Sequence, residues 1–247
     1  MTAAPDGAEP ALWVGGADGF RGSAFHLGGG SVVTAAHVVT GGEPATALAV
    51  GGGGATHSVT AARATPPAPP APRTRFHPFP DLALLTVPCC AGLPAARLAP
   101  ADPPPGAAVT AVGHSTDTPS PGVQPDTLSL RVGGRSGAYL RVLGDGVHAG
   151  LSGSTLVSDA TGLVGGVVKG SRSYRHVQGG WFTPVSALRA FLGPKEAEAA
   201  AQVPLGAQMP TGAPPQPEDA LSASQSSIRT SGSSRERPRI SSTRRMR

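Results

Sequence analysis

Cysteine, aromatic residues and charge are all scarce in this chain. Only two cysteines occur in 247 residues, and Cys89 and Cys90 are neighbours. A disulfide between adjacent residues is strained and closes no useful loop, so no disulfide framework is available. The pair reads as packing rather than redox chemistry. Met1 to Pro10 has neither a basic start nor an apolar core, so no secretory signal is expected there. No apolar run reaches the length that spans a bilayer, so no membrane partner is expected. Together these absences predict a cytoplasmic protein.

Aromatics make up 4% of the sequence, which leaves any core to Val, Leu and Ala. Charged residues amount to 14% and are unevenly spread. Residues 195–247 carry eight Lys/Arg and five Asp/Glu, against twelve and ten in residues 1–194. From Arg229 onward seven arginines face the single Glu236. The basic character therefore belongs to the tail, and a nucleic-acid partner is not expected of the folded part.

Glycine and proline are abundant, with 35 and 27 residues, a level that signals many turns, a disordered segment or both. Stretches 11–14, 22–27 and 31–39 predict strands, with a turn at Gly28-Gly29-Gly30. Residues 45–50 and 57–63 predict another pair around Gly51–Gly54, and Thr65–Pro72 a proline-rich loop. Asp81–Val87 is the next strand. Further strands are predicted at 107–112, 127–133, 138–143, 154–158, 162–169 and 179–183. No amphipathic helix interrupts them, so the pattern is all-β, a sandwich or barrel. One helix closes the series, with Thr183 as cap, Pro184 in the first position and Val185, Leu188, Phe191 and Leu192 on one face. Gly193-Pro194 ends it, and Glu196–Ala201 could add a little more helix. Residues 1–10 are expected to be flexible and 195–247 a disordered basic tail.

Three places carry chemistry. Ser31–Val39 runs β-branched residues into a small-residue corner that ends on His37, and histidine is the side chain best suited to general-base work near neutral pH. A buried core histidine gives the same local pattern. Asp81 opens an apolar strand, where a carboxylate needs a hydrogen-bonding partner; a turn aspartate after Pro80 also fits. In Gly150-Leu151-Ser152-Gly153 the glycines suit a sharp turn that exposes a hydroxyl and aligns successive N–H groups. A Gly/Ser hairpin loop looks alike. His114 and His148 match no metal-site spacing, and neither metal nor cofactor is implied.

The order His, Asp, Ser is one of the few known for a hydrolytic triad. Thr34-Ala35-Ala36-His37, Asp81-Leu82-Ala83-Leu84-Leu85, Gly150–Val157, Gly162–Val168 and Trp181–Val185 together resemble the trypsin-like, chymotrypsin-fold serine peptidases of the bacterial, cytoplasmic, disulfide-free type. The likeness covers roughly residues 11–193. It implies two six-stranded antiparallel β-barrels within a peptidase domain of residues 11–194, barrel one over about 11–104 and barrel two over about 105–194. His37 and Asp81 would come from the first and Ser152 from the second. The resemblance further implies an oxyanion hole at the N–H groups of Gly150 and Ser152.

Leu151, Ser154 and Thr155 depart from the family's nucleophile loop. Leu151 cannot receive a cleaved N-terminus, so activation by that route is not expected. Ser154 carries a Cβ where the family has glycine, which crowds the backbone of the oxyanion hole. Counting back from Ser152 puts Gly146 where trypsin-type pockets carry aspartate, which speaks against Arg/Lys at P1 and for a small or apolar residue. Substrate contacts are expected at Gly146, Val168, Lys169, Gly170 and Gly180. The expected partner is a polypeptide substrate. The resemblance also points to a separate effector or signalling partner. The alternative function is a catalytically impaired or trigger-dependent domain that binds proteins.

Overall fold

Glycine turns fold the chain into successive antiparallel hairpins in a computed structural model that describes residues 11–40, 44–52, 54–67, 77–171 and 178–201. Strand β1 (Leu12–Gly16) pairs with β2 (Gly19–Gly28), which pairs with β3 (Ser31–Thr34). The predicted turn between β2 and β3 holds Gly28, Gly29 and Gly30 at φ of 102°, 59° and 77°, a region that only glycine enters without strain.

With β4 (Ala49–Gly52), β5 (Ala55–Ser58), β6 (Ala61–Thr65) and β7 (Leu82–Thr86), these strands make a seven-stranded sheet. Its order is β5-β4-β1-β2-β3-β7-β6. The strand predicted over 57–63 is instead bent into two at Val59-Thr60. Val59 N–H donates to Leu48 O at 3.2 Å and Thr60 N–H to Thr86 O at 2.9 Å, so the chain steps from one edge of the sheet to the other. Val59 is fully buried and anchors the bend.

The second half contains β8 (Ala108–Ser115), β9 (Gln124–Ser136), β10 (Tyr139–Gly144), β11 (Thr155–Ser158), β12 (Val164–Ser171) and β13 (Gly180–Pro184). These six close into a barrel in the order β10-β13-β12-β11-β8-β9. The architecture is all-β and chymotrypsin-like, with a closed six-stranded barrel beside a half-barrel sheet.

Strand periodicity distributes the core. On β7, Ala83 and Leu85 face a cluster with Val14, Val32 and Val50 inside the first sheet. Leu82 and Leu84 face the opposite way, into a cluster that includes Phe25, Val164 and Val167. Burial on both faces explains why this strand reads as a continuous apolar run. Inside the barrel Val109, Leu130, Val142, Leu156 and Phe182 form the third cluster.

Helix α2 (Val185–Leu192) adds Val185, Leu188 and Leu192 to the cluster shared by the two halves. Its cap differs from the expectation. Thr183 lies in β13 and its hydroxyl donates to Pro80 O at 2.5 Å. Pro184 is the N-cap, and the distant Asp102 serves the first turn, accepting from Ser186 N–H and Ser186 O–H at 2.9 Å each. A side chain 84 residues away leaves no local sequence signature.

The folded part also runs past residue 194. Helix α3 (Pro194–Ala201) places Ala197 and Ala200, three residues apart on one face, in the same cluster as α2. The expected disorder of the tail beyond that helix, and of residues 1–10, lies outside the described residues, as do Gly53 and most of the proline-rich loop. Among the described residues no helix is long and apolar enough to cross a membrane.

Candidate active site

His37 stands on a single helical turn, α1 (Ala36–Val39), rather than at the end of a strand. Strand β3 stops at Thr34, Ala36, Val38 and Val39 turn into the first core, and the His37 side chain is left 34% exposed. Of the four residues in that turn only the polar one faces out, which disposes of the core-histidine alternative.

Asp81 lies 44 residues further on and its carboxylate is completely buried. Its φ of 56° is left-handed, a conformation that aspartate tolerates better than most residues. One oxygen, Oδ1, accepts from the backbone N–H of His37 at 3.0 Å, and Oδ2 meets His37 Nδ1 at 2.8 Å. Two further side chains converge on it. His77 Nδ1 is 3.3 Å from Oδ1, and the Lys169 ammonium bonds Oδ2 directly.

Burial alone would push the Asp81 carboxyl up, but the hydrogen bond and charge of His37, joined by Lys169, hold it below the usual carboxylate value. A depressed native value stabilises the fold at pH values above the unfolded carboxyl's, about 4, and that contribution is lost as pH falls through the native value. Burial also draws Lys169 below the ordinary lysine value, against the pull of Asp81.

The loop 146–154 is tied down mostly by backbone. Ser152 O accepts from Ser23 N–H at 2.8 Å, Gly153 N–H donates to Val168 O at 2.8 Å, and Ser154 N–H donates to Leu151 O at 3.0 Å. Leu151 is fully buried in the barrel core, so an apolar side chain anchors the loop. Ser154 does not crowd it. Across from it stands Gly113, where an added Cβ would come within 2.7 Å of Ser154 Cβ.

Both glycines beside Ser152 are required. Gly150 has φ of 98°, and a Cβ there would meet His114 O and the Phe20 ring at 2.8 Å. Gly153 has φ of 88°, and a Cβ would overlap Ser23 O and Thr34 Oγ1. Gly153→Ala should therefore destabilise the protein by about 3 kcal/mol through strain and overpacking. Urea midpoints compare the two proteins directly; an unchanged midpoint would contradict this packing.

The two amides proposed for an oxyanion have no hydrogen-bond partner among the described residues. The carbonyl and N–H of a trans peptide point in opposite directions. Ala149 O is held by the Ser115 hydroxyl at 3.2 Å, which turns Gly150 N–H away from Ser115. Leu151 O is held by Ser154 N–H, which likewise turns Ser152 N–H the other way.

The Ser152 hydroxyl donates to Lys169 O at 2.9 Å, and no hydrogen bond joins it to His37 among the described residues. Gly170 is close by, since a Cβ there would lie 3.5 Å from Ser152 Oγ. A Cβ on Gly180 would lie 2.7 Å from both Gly170 O and Val147 Cγ2, and Gly146 bridges to Gly179. Gly146, Gly170 and Gly180 thus gather into one wall with Val147.

Val168 is engaged within the fold. Its side chain is buried, its carbonyl accepts from Gly153, and its N–H donates to Ser154 O at 3.0 Å. Strand β12 pairs there with the loop 146–154. Lys169 offers only its carbonyl, as its side chain is buried against Asp81.

Sequence reasoning missed Ser23, which fastens the loop to β2: its hydroxyl donates to Gly150 O at 2.7 Å and accepts from His114 N–H at 2.8 Å. It also missed the partners of His148, whose ring meets Asp126 Oδ2 at 3.0 Å and Ser115 Oγ at 3.2 Å. The side chain of Lys169 had a legible signal. A single charge following the apolar run Val164–Val168 needs a counterion if the strand is buried.

A family model described as a trypsin-like peptidase domain matches residues 22–167. No curated protein sequence matches the chain. Among solved structures, the active form of the Rv3671c protease of M. tuberculosis is 20% identical, with a TM-score of 0.55, covering 80% of this chain and 84% of its own. The serine endoprotease of Yersinia pestis is 18% identical with a TM-score of 0.59, covering 80% and 68%. Mouse neuropsin, a serine protease, is 14% identical with a TM-score of 0.56, covering 76% and 95%.

Proposed function

The chain belongs to the trypsin-like peptidase family and is a serine-type peptidase, and from that premise we propose that it is an endopeptidase working through Ser152, His37 and Asp81. The observation that carries this reading is the 2.8 Å bond between His37 Nδ1 and Asp81. An ionised carboxylate only accepts, so Nδ1 bears the proton and Nε2 is the basic nitrogen.

Ser152 Oγ turns from Lys169 O toward His37, gives its proton to Nε2 and attacks the scissile carbonyl. The N–H groups of Gly150 and Ser152 receive the developing oxyanion, each donor worth ~3–4 kcal/mol in the transition state. His37 then protonates the leaving amine, and a water molecule repeats the cycle on the acyl enzyme. Asp81 holds the tautomer and stabilises the imidazolium.

The peptidase domain spans residues from about 11 to at least 201 and acts in the cytoplasm on polypeptides. Taking 55–65 as one bent strand makes the first sheet a six-stranded counterpart of the barrel. The wall of Gly146, Val147, Gly170 and Gly180 carries no carboxylate and suits a small or apolar P1 side chain. Digestion of a mixed peptide library, with products sequenced by mass spectrometry, tests this. New C-termini at Ala, Val or Leu are expected with wild type and none with His37→Ala. Cleavage after Arg or Lys would contradict the pocket reading.

The second reading is a trigger-dependent domain acting with a separate effector or signalling partner. It is favoured by the resting Ser152 hydroxyl, which bonds Lys169 O instead of His37. It predicts a partner retained equally by wild type and Ser152→Ala, with cleavage absent until that partner is added.

A further inference from the structure

We propose that Lys169 is a positioning residue of this peptidase: from strand β12 its ammonium binds Asp81, lowers the basicity of His37 through that carboxylate, and moves the acid limb of activity to lower pH. The proposal rests on the triad reading. Lys169 is 6% exposed, bonds the same Asp81 oxygen as His37 Nδ1, and through its carbonyl holds the Ser152 hydroxyl. One residue thus touches the partner of the base at one end and the nucleophile at the other.

Among the described residues, four groups cluster around His37. Asp81 and His77 come from the segment before β7, with the two imidazole rings 6.5 Å apart. Lys169 comes from β12, and Tyr139 of β10 lies beneath its ammonium, 5.2 Å from the ring centre. Burial and the Asp81 charge push the Tyr139 phenol up, so it stays neutral and offers its ring face to the cation. Asp81 is therefore already matched by one positive charge before His37 accepts a proton. An imidazolium formed there shares its counterion with a second cation, and like charges disfavour the charged form. The sole charge in a buried β-strand thereby acquires a use in the reaction.

The test uses the full chain with Lys169→Met, Lys169→Gln and Lys169→Arg. Two readouts are taken: kcat/KM against pH on a peptide substrate, and the NMR titration of the His37 ring. In the Met and Gln variants both should move upward by about one pH unit. In Lys169→Arg, which keeps the charge, both should stay close to wild type. If the Met variant does not fold, the Gln variant carries the comparison. The same shift in a His77→Gln background assigns the effect to Lys169; its loss there contradicts the assignment. An unmoved limb and titration in the neutral variants, or an equal shift in Lys169→Arg, overturns the proposal. Failure of the triad reading looks different: Ser152→Ala would then keep hydrolysing peptide, while the His37 titration would still report on Lys169.

Discussion

Ser152→Ala is expected to lower kcat for peptide hydrolysis by about 10^5-fold or more, leaving only the residual rate that binding and oxyanion donors provide. The loss should come without unfolding. The contacts that hold residue 152 in place are made by its backbone, since Ser152 O accepts from Ser23 N–H and its neighbour Gly153 donates to Val168 O. The hydroxyl contributes one bond, to Lys169 O, and alanine fits the same backbone. A thermal midpoint within a few degrees of wild type, beside activity at background, is the expected pair of results. Activity above about one per cent of wild type would place the nucleophile elsewhere.

Asp81→Asn should damage both activity and stability. An amide can present its N–H₂ to His37 Nδ1, which favours the wrong tautomer and takes the basic nitrogen away from Ser152. A defect of this kind is worth about 10^4-fold in kcat. The same substitution leaves the Lys169 ammonium buried without a counterion, a loss of about 3–5 kcal/mol. Wild-type stability should also fall as pH drops below about 4, because the Asp81 carboxyl must then be protonated against its partners. Urea unfolding from pH 3 to 7 should therefore give a flatter profile for Asp81→Asn than for wild type. A variant as stable as wild type at pH 7 would contradict the picture of a buried, fourfold-contacted carboxylate.

The three residues proposed as the triad could be singled out because each sits in a short motif whose residue types are dictated locally. Small residues before His37 turn the chain out of β3. Asp81 precedes an apolar strand buried on both faces. Gly150 and Gly153 bracket Ser152 because both of those positions have positive φ. The strand segments and the all-β class followed from the same period-two pattern and the glycine turns.

What could not be read depends on residues far apart in sequence. The Asp102 cap on α2, the Ser23 staple and the bonds from His37 and Lys169 to Asp81 each join segments separated by scores of residues, and no local pattern encodes them. The bend at Val59-Thr60 is set by the need to reach both edges of one sheet, which a strand propensity does not express. Lys169 was placed at the substrate edge by the family resemblance, which says nothing of where its side chain goes. Here the strand continues past it, and alternation turns the side chain inward.

The most direct measurement is the mass of the intact protein after exposure to a fluorophosphonate, followed by peptide mapping. A phosphonylating reagent reports only a serine activated by its base, so it tests nucleophile, tautomer and oxyanion donors together. A single adduct on Ser152, absent from the Ser152→Ala and His37→Ala variants, is the predicted result. A folded protein that takes up no label, alone or with a candidate trigger, or one labelled at another residue, would contradict it.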